Sequence, residues 1–454
     1  MPVEKNKEYI VDIIDNGTNG EGIAKIDDFT IFIPNTIKSE KVKILIVKVL
    51  KSYAFGKAIE ILKKSKQRVD FDCTTYKRCG GCNLRHIDYK ETLKIKQKNV
   101  QNLVDKMLKS KINVEETLGM EKPFHYRNKA QYPIGLDKNN NPVIGVFANR
   151  THEIIKIDKC LIQNQETEKI AKFIFDFIIK NKISIYNEKN QKGLVRHIVT
   201  KIGVKTNEIM IILVINGKEI PKEKELVEAV TKKFENVKTI VKNINTKNTN
   251  VILGNENINL FGNGYITDIL GNYQFKISPL SFYQVNPVQA EKLYKIGIEN
   301  AGITNNDIVF DLYCGIGTIS LFMSKYAKKV YGVEIVEQAI HDAKENAKIN
   351  NIENTEFIVG DSEDVLDGLI NKKNIIPNVV MVDPPRRGLD SKLIDNIMKV
   401  KPRKLIYISC NPATLVRDLA KFEECFEIKF IKPVDMFPYT SHVECVAVLE
   451  MKLI

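Results

Sequence analysis

The chain has 454 residues, 43% of them hydrophobic and 28% charged, which places it among folded globular proteins and makes it too long for one ordinary core. Lys and Arg outnumber Asp and Glu by 69 to 56, a net charge of +13; this fits a polyanionic partner such as nucleic acid, or a generally lysine-rich proteome. No apolar run approaches the roughly 18 residues of a membrane span, and the opening "MPVEKNKEYIVDIIDNG" has no apolar leader core, so no membrane association is expected and the cytoplasm is the expected compartment.

Residues 1–62 read as short Ile- and Val-rich strands ("YIVDIIDNG", "IAKIDDFTIFIP", "EKVKILIVKVL", "YAFGKAIEIL") separated by Gly/Asn/Asp turns, the pattern of a small OB-like β-barrel with basic residues interspersed. Next comes "CTTYKRCGGC", with Cys73, Cys79 and Cys82. Eight cysteines in an intracellular chain, three of them clustered, suggest a metal site and scattered core or catalytic thiols rather than disulfides. A Cys₄ cage needs a fourth ligand, and Cys160 in "IIKIDKCLIQNQ" is the only other cysteine before residue 314. This three-plus-one set suits zinc or a 4Fe-4S cluster, and thiol chemistry alone does not choose.

The stretch at about 91–110 carries Leu93, Val100, Leu103, Val104, Met107 and Leu108 at helical spacing, so an amphipathic helix is predicted, able to pack on a later domain. Strand-like runs then mix with two helical ones, "EKIAKFIFDFIIKN" and "EKELVEAVTKKFENV", giving a central α+β domain over 63–271. Within it "FHYRNKAQYPI" interleaves Tyr126, Arg127, Lys129 and Tyr132, and "GLVRHIV" adds Arg196 and His197. Basic and aromatic groups together suit splayed single-stranded RNA.

From 272 to 454 strand, turn and helix repeat, which predicts an α/β domain of parallel strands ending in a hairpin. "VFDLYCGIGTISL" ends a strand in Asp311 and follows it with Gly315 and Gly317, where backbone can approach a ligand. Glu334 ends the next strand, placed to accept ribose hydroxyls, and Asp361 in "VGDSED" ends a third. No G-x-x-x-x-G-K pattern is present, so the expected ligand contains adenosine without a phosphate cradle. Further on, "LIYISCNPATLVRD" sets Cys410 at a strand end before a helix N-terminus, where a lowered thiol pKa is expected. "HVECVAVLEMK" places Glu444 at the start of the final strand. A thiol nucleophile, a base and a group polarising a pyrimidine carbonyl, here Cys410, Glu444 and Asp383, are the types needed to make uracil C5 nucleophilic and then remove its proton.

The block 307–388 resembles class I S-adenosylmethionine-dependent methyltransferases, with "MVDPPRRG" at the fourth-strand loop; Arg386 replaces the aromatic residue of amine-directed members. Together "FDLYCGIGT", "DPPRRG", "SCNPATLVRD", "HVECV" and "SPLSFYQVNPVQAEKLY" resemble the RNA uracil-5 methyltransferase family, and the N-terminal barrel resembles a TRAM domain. The resemblance implies a Rossmann-like domain with a mixed seven-stranded sheet. It implies S-adenosylmethionine as methyl donor, Gln284, Tyr313, Glu334 and Asp383 as cofactor contacts, and Cys410 attack at C6 resolved by Glu444. The ribosomal branch has the three-plus-one cysteines and a 4Fe-4S cluster, which implies the cluster on Cys73, Cys79, Cys82 and Cys160 and 23S ribosomal RNA as substrate. Phe282, just before Gln284, is a candidate wedge or stacking partner for a flipped base. A monomer is expected. The alternatives are transfer RNA as substrate, another base as methyl acceptor, or a non-catalytic RNA assembly factor.

Overall fold

Alternating burial along Lys41–Val49, with Val42, Ile44 and Ile46 inward, shows how the N-terminal barrel forms: one apolar face per strand closes on itself. The computed structural model describes residues 2–70, 73–149 and 151–453. The first strands are β1 (Glu8–Asp12), β2 (Asp15–Asn16), β3 (Gly22–Ile26), β4 (Phe29–Ile33), β5 (Lys41–Val49) and β6 (Tyr53–Lys63), paired in the order β1-β5-β6-β4-β3-β2. A hydrogen bond from Ile14 N to Ile23 O, 2.8 Å, helps draw the two ends together.

The amphipathic helix is α1 (Tyr89–Met107), started by Asp88, whose carboxylate accepts from Lys90 N. Its buried Val100 and Val104 pack with Phe310, Val380, Leu405 and Phe422, so it belongs to the core of the C-terminal sheet.

The central sheet is built from β7 (Lys129–Leu136), β8 (Pro142–Phe147), β9 (Ile154–Lys156), β10 (Val195–Ile202), β11 (Ile209–Ile215), β12 (Val237–Ile244) and β13 (Glu256–Phe261), in the order β13-β12-β11-β10-β7-β8-β9. Helices α2 (Gln165–Lys180) and α3 (Glu223–Lys233) cover one face through Ile170, Ile174, Leu226 and Val230. The other face sends Val199, Met210, Ile212 and Val214 into the C-terminal core. Covered on both sides, β10 and β11 are buried along their whole length.

A hairpin, β14 (Ile266–Leu270) and β15 (Tyr273–Ile277), leads into the last unit: α4 (Pro287–Ala301), β16 (Ile308–Asp311), α5 (Thr318–Ser324), β17 (Lys329–Glu334), α6 (Glu337–Ile349), β18 (Thr355–Val359), α7 (Ser362–Asn371), β19 (Val379–Val382), α8 (Ser391–Val400), β20 (Lys404–Ser409), α9 (Pro412–Phe422), β21 (Phe426–Val434) and β22 (Glu444–Met451). Its sheet runs β18-β17-β16-β19-β20-β22-β21, five parallel strands and an antiparallel hairpin at the β20 edge, the mixed seven-stranded sheet that the resemblance implied. From β16 the chain moves outward through β17 and β18, then crosses back to β19 and β20. The crevice at this reversal, beyond the strands' carboxyl ends, is where such sheets bind ligands. Among the described residues no helix is long and apolar enough to cross a membrane.

Candidate active site

The topology brings the strand-end residues to one edge. Asp311 ends β16, Glu334 ends β17, Asp383 follows β19, and Cys410 follows β20. β22 runs antiparallel to β20 with Ser409 opposite Cys445, so the next step along the ladder sets Cys410 against Glu444. These two, thirty-four residues apart in sequence, are thus neighbours at the crevice.

Glu444 is buried, and burial together with the Asp383 carboxylate pushes its pKa up to about 8, with Arg386 opposing. Asp383 is raised to about 7 by its low-solvation setting and by Asp311. Two carboxylates this close share protons, so near neutral pH one is charged while the other carries hydrogen. The expectation of a lowered thiol pKa is not met. Burial raises Cys410 above its ordinary value, and the Glu444 and Asp383 carboxylates add to this. Arg386 pulls the other way.

Sequence reading took Arg386 only as the residue standing where an aromatic would be. Its partner role depends on a loop path that has no periodicity to read. That loop is pinned to α9: its Arg386 carbonyl accepts from Asn411 Nδ2 at 3.1 Å and Thr414 Oγ1 at 3.3 Å, and its Arg387 carbonyl accepts from Arg417 Nη2 at 3.0 Å. Gly388 turns with φ +80°, and a Cβ there would meet Arg417 and Asp418 at 2.6 Å. Tyr294, also not singled out from sequence, is buried beside Asp383 and Glu444.

Several features suit an adenosine-containing ligand. Asp311 Oδ2 accepts from Ser320 at 2.6 Å, while Oδ1 is buried with no partner among the described residues. A buried acceptor of this kind calls for a donor. Gly315 lies at φ +53°, and a Cβ on it would point into open space, so backbone is free to approach a ligand there. Gly317 caps α5. Beyond Glu334, Ile335 and Val336 are exposed apolar side chains, a surface that sequence reading did not pick out. Tyr313 is half-buried beside Asp361, Gln284 is buried, and Asp361 caps α7 by accepting from Glu363 N at 3.1 Å.

The RNA-contact candidates separate by burial. Tyr126 is core, packed with Ile162 and Tyr439, its hydroxyl donating to Pro438 O at 3.1 Å. Arg196 is buried, donates to the carbonyls of Asn245 and Lys247, and stacks over Tyr186 at 4.6 Å. His197 is buried, and burial with Arg196 lowers its pKa to about 3. The expectation of surface contacts from these three is therefore corrected: Tyr126 packs in a core of its own, and Arg196 and His197 lie on β10, covered on both faces, which an isolated strand sequence does not reveal. Arg127 and Lys129 are half-buried, and Phe282 is 70% exposed on the loop before α4.

Cys73, Cys79, Cys82 and Cys160 line one mainly apolar cavity of about 70 Å³. Burial and the neighbouring thiols raise Cys82 to about 12, and burial raises Cys160 to about 11, so without a cation these thiols stay protonated. Among the described residues no group of three or more His, Cys, Asp or Glu side chains is arranged to hold a metal ion.

Comparison with known proteins agrees with this architecture. The sequence pattern of the tRNA (Uracil-5-)-methyltransferase family matches residues 88–452, and that of the TRAM domain matches residues 2–59. A protein of Clostridium acetobutylicum named as an uncharacterized RNA methyltransferase is 47% identical, over 99% of this chain and 98% of its own length. One of Caldanaerobacter subterraneus, named in the same way, is 42% identical over 99% of each. The solved tRNA (uracil-54, C5)-methyltransferase of Pyrococcus abyssi, in complex with S-adenosyl-L-homocysteine, superposes with a TM-score of 0.78 at 26% identity, over 97% of this chain and 100% of that one. With the family pattern spanning the central and C-terminal sheets and a TRAM domain ahead of it, the chain belongs to the tRNA (uracil-5-)-methyltransferase family and is an S-adenosylmethionine-dependent RNA uracil-5-methyltransferase.

Proposed function

We propose that the enzyme methylates C5 of a uridine in 23S ribosomal RNA through a covalent adduct between Cys410 and C6. The observation that carries this reading is the register that sets Cys410 against Glu444, beside Asp383 and Arg386. In this scheme Cys410 gives its proton to solvent water, with Arg386 stabilising the thiolate, and sulfur bonds to C6. The C5–C6 π electrons move toward C5 and the C4 carbonyl, and Asp383 in its protonated form donates to that carbonyl. S-adenosylmethionine, when bound, supplies an electrophilic methyl on a sulfonium. Once C5 carries the methyl, Glu444 takes the C5 proton, the C5–C6 double bond returns, and the Cys410 sulfur leaves. Asp311, Gly315, Gly317, Glu334, Tyr313, Gln284 and Asp361 are assigned to the cofactor crevice.

Cys410→Ala should abolish methyl transfer while RNA binding persists. Glu444→Gln should trap an RNA adduct that survives a denaturing gel. Unchanged transfer by Cys410→Ala would sink the covalent mechanism. A second reading, transfer RNA as substrate, is favoured by the Pyrococcus relative. Mapping 5-methyluridine in 23S and transfer RNA from a deletion strain separates the two, since only the true substrate loses its mark.

The cysteines are assigned to a 4Fe-4S cluster. Tetrahedral zinc with Zn–S of about 2.3 Å draws its sulfurs to about 3.8 Å of one another. The four thiols line one cavity, which supports a single group held by all of them. A cavity of about 70 Å³ also exceeds the roughly 10–15 Å³ that one water-sized occupant needs.

A further inference from the structure

Lys129 and Lys201 are directly opposite in the β7–β10 ladder. Like charges facing each other across an antiparallel pair are destabilising, so this arrangement breaks a local rule. Lys201 is buried, and its Nζ donates to the carbonyls of Ser278 and Ser281, each at 2.9 Å, which uses two of its three donors. Lys129 is half-buried, and among the described residues it has neither a hydrogen-bond partner nor a carboxylate. Arg127, two residues before it, has a buried Nε without a partner. Near Lys201 is the Asp342 carboxylate, whose Oδ2 accepts from the hydroxyls of Ser278 and Ser281 and whose Oδ1 accepts from Gln338, with His341 at 3.8 Å. Burial and Lys129 bring the Lys201 ammonium down to about 7, burial and Arg127 lower Lys129, and the one carboxylate near Lys201 is already engaged.

Lys129 and Lys201 line a cavity of about 40 Å³ with Asn128, Ser281 and Phe282. That is room for about three water-sized atoms, the scale of a phosphate's free oxygens. Phe282 stands 70% exposed at this cavity, its ring open to a base. The cavity adjoins the segment assigned to the cofactor crevice: Asn128, on its wall, donates from its backbone N to Val285 O and from Nδ2 to Gln284 O, each at 2.9 Å.

We infer that Lys129 and Lys201 seat a phosphodiester of the substrate RNA, next to a base stacked on Phe282 and close to the uridine at Cys410. The inference rests on the RNA-methylating function. Two facing amines with no free counter-charge in partly dry surroundings favour an anion, and RNA is the polyanion this enzyme acts on. Lys201 has a second task, fixing the Ser278–Ser281 turn, so Lys129 is the cleaner probe.

The test uses the full-length enzyme and total RNA from a strain lacking it, by filter binding across a KCl series and by methyl transfer. Lys129→Gln should flatten the slope of log affinity against log salt by about 0.7, one phosphate on single-stranded RNA. It should also raise the RNA KM roughly tenfold, as for a lost charge-assisted hydrogen bond, with the change in KM and not in kcat. Lys129→Arg should restore both. An unchanged slope and KM in Lys129→Gln overturns the inference. Should Gln disturb the strand, seen as a lowered Tm, Lys129→Thr carries the same expectation. Failure of the wild-type enzyme to methylate C5 would count against the catalytic reading instead, because the binding slope is read without transfer.

Discussion

Glu444 shows how one side chain's surroundings set both its chemistry and its cost. Its folded-state pKa is raised from 4.5 to about 8 by burial and by Asp383. Between those values the folded state binds more protons than the unfolded chain, so stability falls as pH rises through the window. Glu444→Gln removes this titration. Its Tm relative to wild type should therefore climb from pH 5 to pH 8.5, by a few degrees, and differ little below pH 4.5 in tolerated buffers; a pH-independent difference in thermal scans would show that Glu444 is not held protonated. Because the scheme needs Glu444 charged and Asp383 protonated, methyl transfer should follow a bell-shaped pH profile with its maximum between about 7 and 8. Cys410 and Glu444 were legible in sequence because each sits at the junction of an apolar strand with polar chain. Arg386 was not, since an exposed arginine in a loop looks like any other until the fold sets it against a thiol. Arg196 and His197 misled for the converse reason: cation and imidazole read as surface chemistry, while β10 lies between two cores.

At the scale of elements, periodicity identified α1, but not what it packs on. Among its buried positions is Lys96, an unlikely core residue from its type. Its Nζ donates to Asp435 at 2.5 Å and to the Phe437 carbonyl at 3.3 Å, and Tyr89 on the same helix donates to Asp435 at 2.8 Å. This polar knot locks α1 to the segment that leads into Glu444. Truncating one partner of a buried pair leaves the other charge stranded, at about 3–5 kcal/mol. Lys96→Met should lower the midpoint of urea unfolding accordingly, and adding Asp435→Asn should recover part of the loss; a single mutant as stable as wild type would mean the pair is not closed in solution. The alternation of strand and helix after residue 272 was enough to fix the sheet type, because parallel strands need crossovers and crossovers have one hand. In the central unit the helices and strands were readable one by one. Their order was not, since β10 pairs with β7 across the intervening β8, β9 and α2.

Across the whole molecule, the cysteine segment is a junction. Asn83, one residue after Cys82, donates from Nδ2 to the Asn19 carbonyl of the barrel at 2.6 Å and to Ser441 Oγ at 2.8 Å, while its Oδ1 accepts from Ser441 N at 2.7 Å. The backbone N–H groups of Asn83 and Leu84 both donate to Tyr439 O, and the Arg85 guanidinium lies 4.1 Å from the Tyr439 ring centre. Residues 439–441 lie just ahead of Glu444, so a group holding the four thiols would brace the barrel, the central unit and the approach to the base together. The cofactor crevice is built on strand ends that this junction does not touch. Enzyme purified without oxygen should be brown, absorb near 400 nm and contain iron; stoichiometric zinc without iron would reject the cluster. Stripping the iron by chelation, or replacing Cys160 by Ser, should then lower the Tm and the rate of RNA methylation together, while S-adenosylmethionine binding by calorimetry stays close to that of the loaded enzyme. Retained methylation after iron loss would mean the hydrogen bonds of Asn83 and Leu84 hold the junction unaided.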